Sequence, residues 1–385
     1  MPINYSQIPS PCFVLEEELL RKNLQLIDSV QQAAGCKIIL ALKGFSMYSV
    51  FPIVKEYLSG ATASSLNEVK LINDFMGYQA HTYMPAYLDQ EFDEILIRSS
   101  HITFNSLSQW ERFKGRVEDF KAANAEHKLS CGIRVNPQYS EVTTDMYNPC
   151  VPGSRLGVTR DKLPDQLPEG IDGIHFHTLC ENGSDTLERT LEALESRFEG
   201  LLHQAKWLNM GGGHLMTRKG YDIKKLIILV SNIKEKYNLE VILEPGSAIA
   251  WRTGELVTTV LDVMDSQGVN VAILDTSFAA HMPDTLEMPY KPSIVGSHHE
   301  AAENKPTYRM GGMTCLAGDF IGDYSFDRPL QIGDKIIFED MIHYTMVKTS
   351  TFNGVNLPSI GIWKMGGDFQ LVRSFGYESF KERLS

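Results

Sequence analysis

Lys37-Ile38-Ile39-Leu40-Ala41-Leu42-Lys43-Gly44-Phe45 is the stretch that decides the fold. Its apolar run is too short for a globular helix and β-branched at its start, which predicts a buried strand. Side chains alternate along a strand, so Ile39, Ala41 and Lys43 share one face and Ile38, Leu40 and Leu42 the other. A lysine closing such a strand is partly desolvated, and desolvation lowers its pKa and leaves the amine nucleophilic. The plain alternative is a strand-end lysine pointing into water, and the rest of the chain decides between the two.

Upstream, residues 11–14 read as a short strand and 16–30 as a helix. Downstream, strand-like stretches at 61–65, 81–85, 101–105, 129–136, 173–179, 207–210 and 241–244 recur between helical patterns at 48–57, 66–75, 108–125, 187–202 and 223–237. With the strand that carries Lys43 this makes eight, and repeated βα units favour right-handed crossovers and a parallel sheet. Eight strands within roughly 210 residues predict a closed (β/α)8 barrel, whose chemistry lies at the C-terminal strand ends. Lys43, His177, Gly211-Gly212-Gly213 and Glu244 all fall there, on four different strands. After Gly246 the texture changes: strands are expected at 256–263, 269–275, 307–310, 335–339 and 344–350, with a helix at 377–384. The expected organisation is therefore an α/β barrel over residues 16–250, plus a second, mainly β domain built from 1–15 and 251–385.

Composition narrows the class. Over 385 residues, 43% hydrophobic and 22% charged side chains suit a soluble globular protein. No apolar run reaches the roughly 18 residues that span a bilayer, and residues 1–7 have neither the basic nor the apolar part of a secretory signal. Six cysteines (Cys12, Cys36, Cys131, Cys150, Cys180 and Cys315) lie scattered without a C-x-x-C pair, which predicts free thiols and a reducing cytoplasm. A net charge of −12 argues against nucleic acid and favours a cationic ligand.

Gly211-Gly212-Gly213 follows the 207–210 strand, where glycines let backbone N–H groups crowd around a phosphate; a flexible turn is the bland alternative. The run lacks the spacing of dinucleotide and nucleoside-triphosphate loops. Glu244, before Pro245-Gly246, is either a solvated loop acid or the partner of a protonated pyridine nitrogen. His175 and His177 share a strand face; His175 suits a packed core, and His177, nearer the strand end, suits covering a flat ring. A zinc site recruiting Cys180 lacks a second ligand cluster, so no metal is expected. Cys315, in a glycine-rich loop, is either structural or an exposed thiol able to move a proton.

Together these residues describe a pyridoxal 5′-phosphate site, and the chain resembles the alanine-racemase-like pyridoxal-phosphate decarboxylases, which include the ornithine, arginine and diaminopimelate enzymes. Within them it is most similar to the carboxynorspermidine (carboxyspermidine) decarboxylases. The resemblance covers nearly the whole chain and rests on residues 10–15, 41–45, 175–181, 210–213, Glu244-Pro245-Gly246, 281–284, 314–319 and 351–354. It implies that Lys43 links to the cofactor, His177 stacks on its ring, Gly211, Gly212 and Gly213 hold its phosphate with Tyr344 nearby, and Glu244 pairs with its pyridine nitrogen. It implies that Cys315 reprotonates the substrate after CO2 leaves, from a loop that enters the partner's site in a head-to-tail homodimer. Asp275, Glu181, Leu316 and Asp319 are the expected substrate-binding residues, Asp275 because the family places an acid at a matching point.

Two departures stand out. The family often has Arg after Glu-Pro-Gly, where this chain has Ser247, and ornithine and diaminopimelate decarboxylases carry an acid after the cysteine, where this chain has Leu316. The second departure argues against both of those substrates and for a longer cationic carboxy-polyamine. A racemase of the same fold and a non-catalytic cofactor-binding homologue are the other readings; Cys315 and its motif fit decarboxylation better, and the presence of Lys43, Glu244 and Cys315 speaks against the non-catalytic one.

Overall fold

The computed structural model describes residues 3–385, which separate into two compact units: Asn23–Ile249, and residues 3–22 with Ala250–Ser385.

In the first unit, a sheet of parallel neighbours runs through Ala61–Ala63, Ala80–Tyr83, Ser99–Phe104, Ser130–Arg134, Gly173–His175, Trp207–Asn209 and Glu240–Leu243. Its two ends are Lys37–Ile38 and Leu40–Ala41, which are one strand interrupted at Ile39. On one side Ile39 N donates to Leu243 O at 2.9 Å and Ala41 N to Pro245 O at 3.1 Å. On the other, Leu40 N donates to Gly60 O at 3.0 Å and Leu42 N to Thr62 O at 3.2 Å. The strand read first from the sequence is thus the one that closes an eight-stranded barrel. Helices begin where polar caps meet apolar periodicity: Ser65 accepts from Glu68 N, Ser106 from Gln109 N and Asp222 from Lys225 N, opening Leu66–Met76, Leu107–Ala123 and Ile223–Tyr237.

The barrel is plugged by Trp207, which is buried and donates from Nε1 to Ser130 Oγ at 2.9 Å. A Cβ on Gly173 would lie 2.0 Å from that indole, so only glycine leaves room for the plug. His101 meets Trp207 edge-on at 5.4 Å and stacks on His81 at 4.0 Å. Burial, with the Lys37 charge nearby and Glu240 and Asp172 opposing, pushes His101 down to about 4; burial, then the His101 and Lys37 charges, pushes His81 well below the usual histidine value. Both rings are therefore neutral in the fold, while the unfolded chain binds their protons near pH 6.5. Their contribution to stability is full above about pH 6.5 and is lost as pH falls toward 4. His101→Phe keeps a stacked ring without the proton site, so thermal melts are expected to lose less stability across that window.

The second unit is a mixed sheet organised on the 13-residue strand Gly254–Ser266, which pairs antiparallel with Cys12–Glu16, Val269–Leu274 and Lys335–Glu339. Ser359–Trp363 and Phe369–Arg373 extend it past Cys12–Glu16; Thr307–Gly311, Phe320–Phe326 and Ser297–His298 extend it past Val269–Leu274. Ile8, Cys12, Val14, Val257, Ile337 and Trp363 form a core cluster there.

Two local expectations give way, and one element is unforeseen. Residues 344–350 are not a strand: Tyr344 has φ 47° and a 3-10 turn, Met346–Lys348, follows. Residues 48–57 divide into a 3-10 turn, Tyr48–Val50, and a short helix, Phe51–Lys55, because Pro52 starts a new first turn. A helix at Asp89–Arg98, absent from the sequence reading, follows Leu88 without a capping side chain and runs directly into the strand Ser99–Phe104.

Candidate active site

Lys43 sits in the turn that leaves the closing strand, where Gly44 N returns to Ala41 O at 3.0 Å. A Cβ on Gly44 would meet Gly246 Cα at 2.9 Å, so this turn and the Glu244-Pro245-Gly246 turn touch backbone to backbone. The Lys43 side chain keeps access to solvent while protein groups crowd around it. Burial lowers its pKa; Arg134 adds to this, and Glu244, Cys180 and Glu68 oppose it.

His177 follows the strand Gly173–His175, and its Nε2 lies 3.3 Å from Lys43 Nζ. Its Nδ1 accepts from Gly212 N at 2.9 Å. Side chains on the glycine run would collide with backbone: Cβ atoms on Gly211, Gly212 and Gly213 would lie 2.6 Å from Phe176 O, 2.4 Å from Glu244 O and 2.2 Å from Leu179 O. Gly211 and Gly213 also have positive φ, at 65° and 87°.

Glu244 ends the strand Glu240–Leu243, and its Oε1 accepts from Asn209 Nδ2 at 2.7 Å. Asn209 Oδ1 accepts from Gly211 N at 2.8 Å, so one amide ties the carboxylate to the glycine run. Burial raises the Glu244 pKa, while hydrogen bonds from Asn209 and Thr62 and the charges of Lys43 and Arg134 lower it. Below lies His175, 3.8 Å from Glu244 and buried, with neither ring nitrogen hydrogen-bonded among the described residues. Arg134, also buried, donates to His177 O at 3.1 Å and lies 4.7 Å from the Tyr83 ring centroid. Glu181, at φ 55°, accepts from Ser247 Oγ at 3.0 Å. Asn182 N donates to Gly213 O at 3.0 Å, which sets that pair beside the glycine run.

The barrel unit thus brings together Lys43, His177, Gly211, Gly212, Gly213, Glu244 and Glu181. It adds Asn209, Arg134, Thr62 and Glu68, which the motifs did not single out; the available signal was a polar or charged residue ending an apolar strand, as in Trp207-Leu208-Asn209 and Cys131-Gly132-Ile133-Arg134.

The other expected residues lie in the second unit. Cys315 is exposed, and its backbone N donates to Asn353 Oδ1 at 2.7 Å. Leu316 beside it is exposed. Asp319 is buried, and its carboxylate is already engaged: Oδ1 accepts from Phe278 N at 2.7 Å and Ala279 N at 3.1 Å, and Oδ2 from Thr314 N at 3.0 Å and Thr314 Oγ1 at 2.5 Å. Four donors on two oxygens replace the expectation of substrate contact with a structural one: Asp319 shapes the loop that carries Cys315. Asp275 accepts from Ser10 Oγ at 2.6 Å and Thr259 N at 2.8 Å. The Tyr344 ring meets His343 edge-on at 6.1 Å.

The barrel residues fit pyridoxal 5′-phosphate. The glycine run packs so closely on the Phe176, Glu244 and Leu179 carbonyls that no side chain fits there, Glu244 is held in place by a neutral amide, and the Lys43 amine lies beside the flat ring of His177. Among the described residues, no helix is long and apolar enough to cross a membrane.

Comparison with known proteins agrees. The family described as pyridoxal-dependent decarboxylase, C-terminal sheet domain, matches residues 45–342. The chain is 49% identical over 380 residues to carboxyaminopropylagmatine decarboxylase of Synechocystis sp., covering 98% of this chain and 96% of that one. It is 42% identical over 389 residues to the carboxynorspermidine/carboxyspermidine decarboxylase of Campylobacter jejuni subsp. jejuni, covering 98% and 99%. The crystal structure of carboxynorspermidine decarboxylase complexed with norspermidine, from Campylobacter jejuni, superposes with a TM-score of 0.89 at 41% identity over 98% of this chain and 100% of that one. Diaminopimelate decarboxylase from Helicobacter pylori shares the fold at a TM-score of 0.77 and 19% identity, over 99% and 100%. A likeness of this extent places the chain in the pyridoxal-dependent decarboxylase family, with pyridoxal 5′-phosphate as its cofactor.

Proposed function

We propose that this chain decarboxylates carboxynorspermidine or carboxyspermidine to norspermidine or spermidine in polyamine biosynthesis. The observation that carries the reading is the full-length likeness at 41% identity to a decarboxylase crystallised with norspermidine. The cofactor, when bound, supplies a ring that accepts the electron pair left as CO2 departs. In this reading Lys43 holds the cofactor covalently, His177 covers its ring, and Gly211, Gly212 and Gly213, with Tyr344 nearby, hold its phosphate. Glu244 keeps the ring nitrogen protonated. Cys315 returns a proton to the substrate carbon. Leu316 lines the path of the substrate methylenes, and Asp275 and Glu181 face its cationic nitrogens.

The 49% identity to carboxyaminopropylagmatine decarboxylase favours a second reading, a substrate whose far end is a guanidinium in place of an ammonium. Measuring kcat/KM for carboxynorspermidine, carboxyspermidine, carboxyaminopropylagmatine, ornithine and diaminopimelate separates them. The first reading expects the two carboxy-polyamines to lead, and a leading guanidino substrate establishes the second. Preference for ornithine or diaminopimelate rejects both.

We also place the enzyme in the cytoplasm as a head-to-tail homodimer. The barrel binds cofactor, and the β-rich domain contributes Cys315 to the partner's site. Inactive Lys43→Ala mixed with inactive Cys315→Ala is then expected to recover activity after subunit exchange, since one site in each mixed dimer is intact. No recovery after exchange is verified by mass spectrometry contradicts the shared site.

A further inference from the structure

The hydrogen bonds of His177 fix its proton as well as its position. Gly212 N donates to Nδ1 at 2.9 Å, so Nδ1 carries no proton, and a ring protonated on both nitrogens would set one N–H against another. The proton of the neutral ring is therefore on Nε2, 3.3 Å from Lys43 Nζ. An ammonium has only donors and would oppose the Nε2–H, whereas a neutral amine offers it a lone pair.

We propose that Gly212, by setting the tautomer of His177, turns its Nε2–H into a donor to Lys43 and stores that amine unprotonated, in its nucleophilic form. The donor is rigidly placed. Gly211 N is held by Asn209 Oδ1 at 2.8 Å, and Gly211 O accepts from Glu244 N at 2.7 Å. Burial acts in the same direction on both groups. Lys43 is lowered by burial and Arg134 against the opposing pull of Glu244, Cys180 and Glu68. His177 is held neutral by burial, and Lys43, Arg134, His175 and His214 all disfavour a charged ring. The proposal deepens the role given to Lys43 above, but it concerns the chain before cofactor binds and is read without turnover.

The test uses the full chain freed of cofactor. Nitrogen-15 NMR is expected to show His177 protonated on Nε2 and unprotonated on Nδ1 near neutral pH. The pH dependence of amine labelling at Lys43, read by peptide mass, is expected to have its midpoint well below the ordinary lysine value. His177→Phe keeps a flat ring and the burial but removes the donor. A hydrogen bond to the neutral form disfavours the charged one, so the midpoint is expected to rise by about one pH unit. His177→Gln, whose amide can supply an N–H, should keep more of the low midpoint, and thermal melts of both variants verify the fold. The opposite tautomer, or a Lys43 midpoint that stays or falls in His177→Phe, overturns the proposal. If these results hold but Lys43→Ala still decarboxylates, the role of Lys43 fails and the tautomer inference stands.

Discussion

Lys43→Ala is expected to lower decarboxylation by about 10³-fold or more and to abolish the covalent retention of cofactor after borohydride reduction. Each effect has the same origin. Lys43 supplies the amine that stands 3.3 Å from the ring nitrogen of His177, at the turn where the closing strand meets Gly246. Among the described residues no lysine besides Lys43 is hydrogen-bonded to His177, Glu244 or the glycine run, so alanine leaves no substitute amine in those contacts. A cofactor–protein linkage found at a different lysine in the reduced, digested variant would take this role from Lys43.

Glu244→Gln is expected to leave cofactor bound and slow turnover by about 10²-fold, the scale on which one preorganised electrostatic partner acts. The glutamine side chain has the same length and can still accept the 2.7 Å hydrogen bond from Asn209 Nδ2, so geometry should persist. What it loses is the negative charge that, in the proposed role, would keep a bound pyridine nitrogen protonated. Because Asn209 and Thr62 counter the effect of burial on Glu244, removing either donor should weaken the same charge less completely. Cofactor affinity measured beside kcat separates the outcomes: near-normal kcat contradicts the assignment, and loss of cofactor alone points to packing.

Elements with a strong local period were legible in the sequence. The helix Ile223–Tyr237 has both a capping Asp222 and a left-handed Asn238 at its ends, and its limits agree with the apolar spacing. The closing strand was legible because an apolar run and a terminal lysine coincide. Asn209 was not, because its value comes from register: only when the strand Trp207–Asn209 lies beside Glu240–Leu243 does its amide reach both Glu244 and Gly211. Asp319 shows the converse. Its motif pointed to substrate, but the backbone N–H groups that occupy it come from Phe278 and Ala279, about forty residues away, which no local pattern displays. The strand expected around Tyr344 failed for a local reason, since a left-handed φ of 47° breaks the run that its β-branched and aromatic residues suggest.

The most direct measurement is CO2 release from carboxynorspermidine labelled at its α-carboxylate, with and without added pyridoxal 5′-phosphate. The account predicts cofactor-dependent release of labelled CO2 in equal amount to norspermidine formed. Loss of stereochemistry at the substrate carbon with the label retained, or no change in substrate at all, would contradict it.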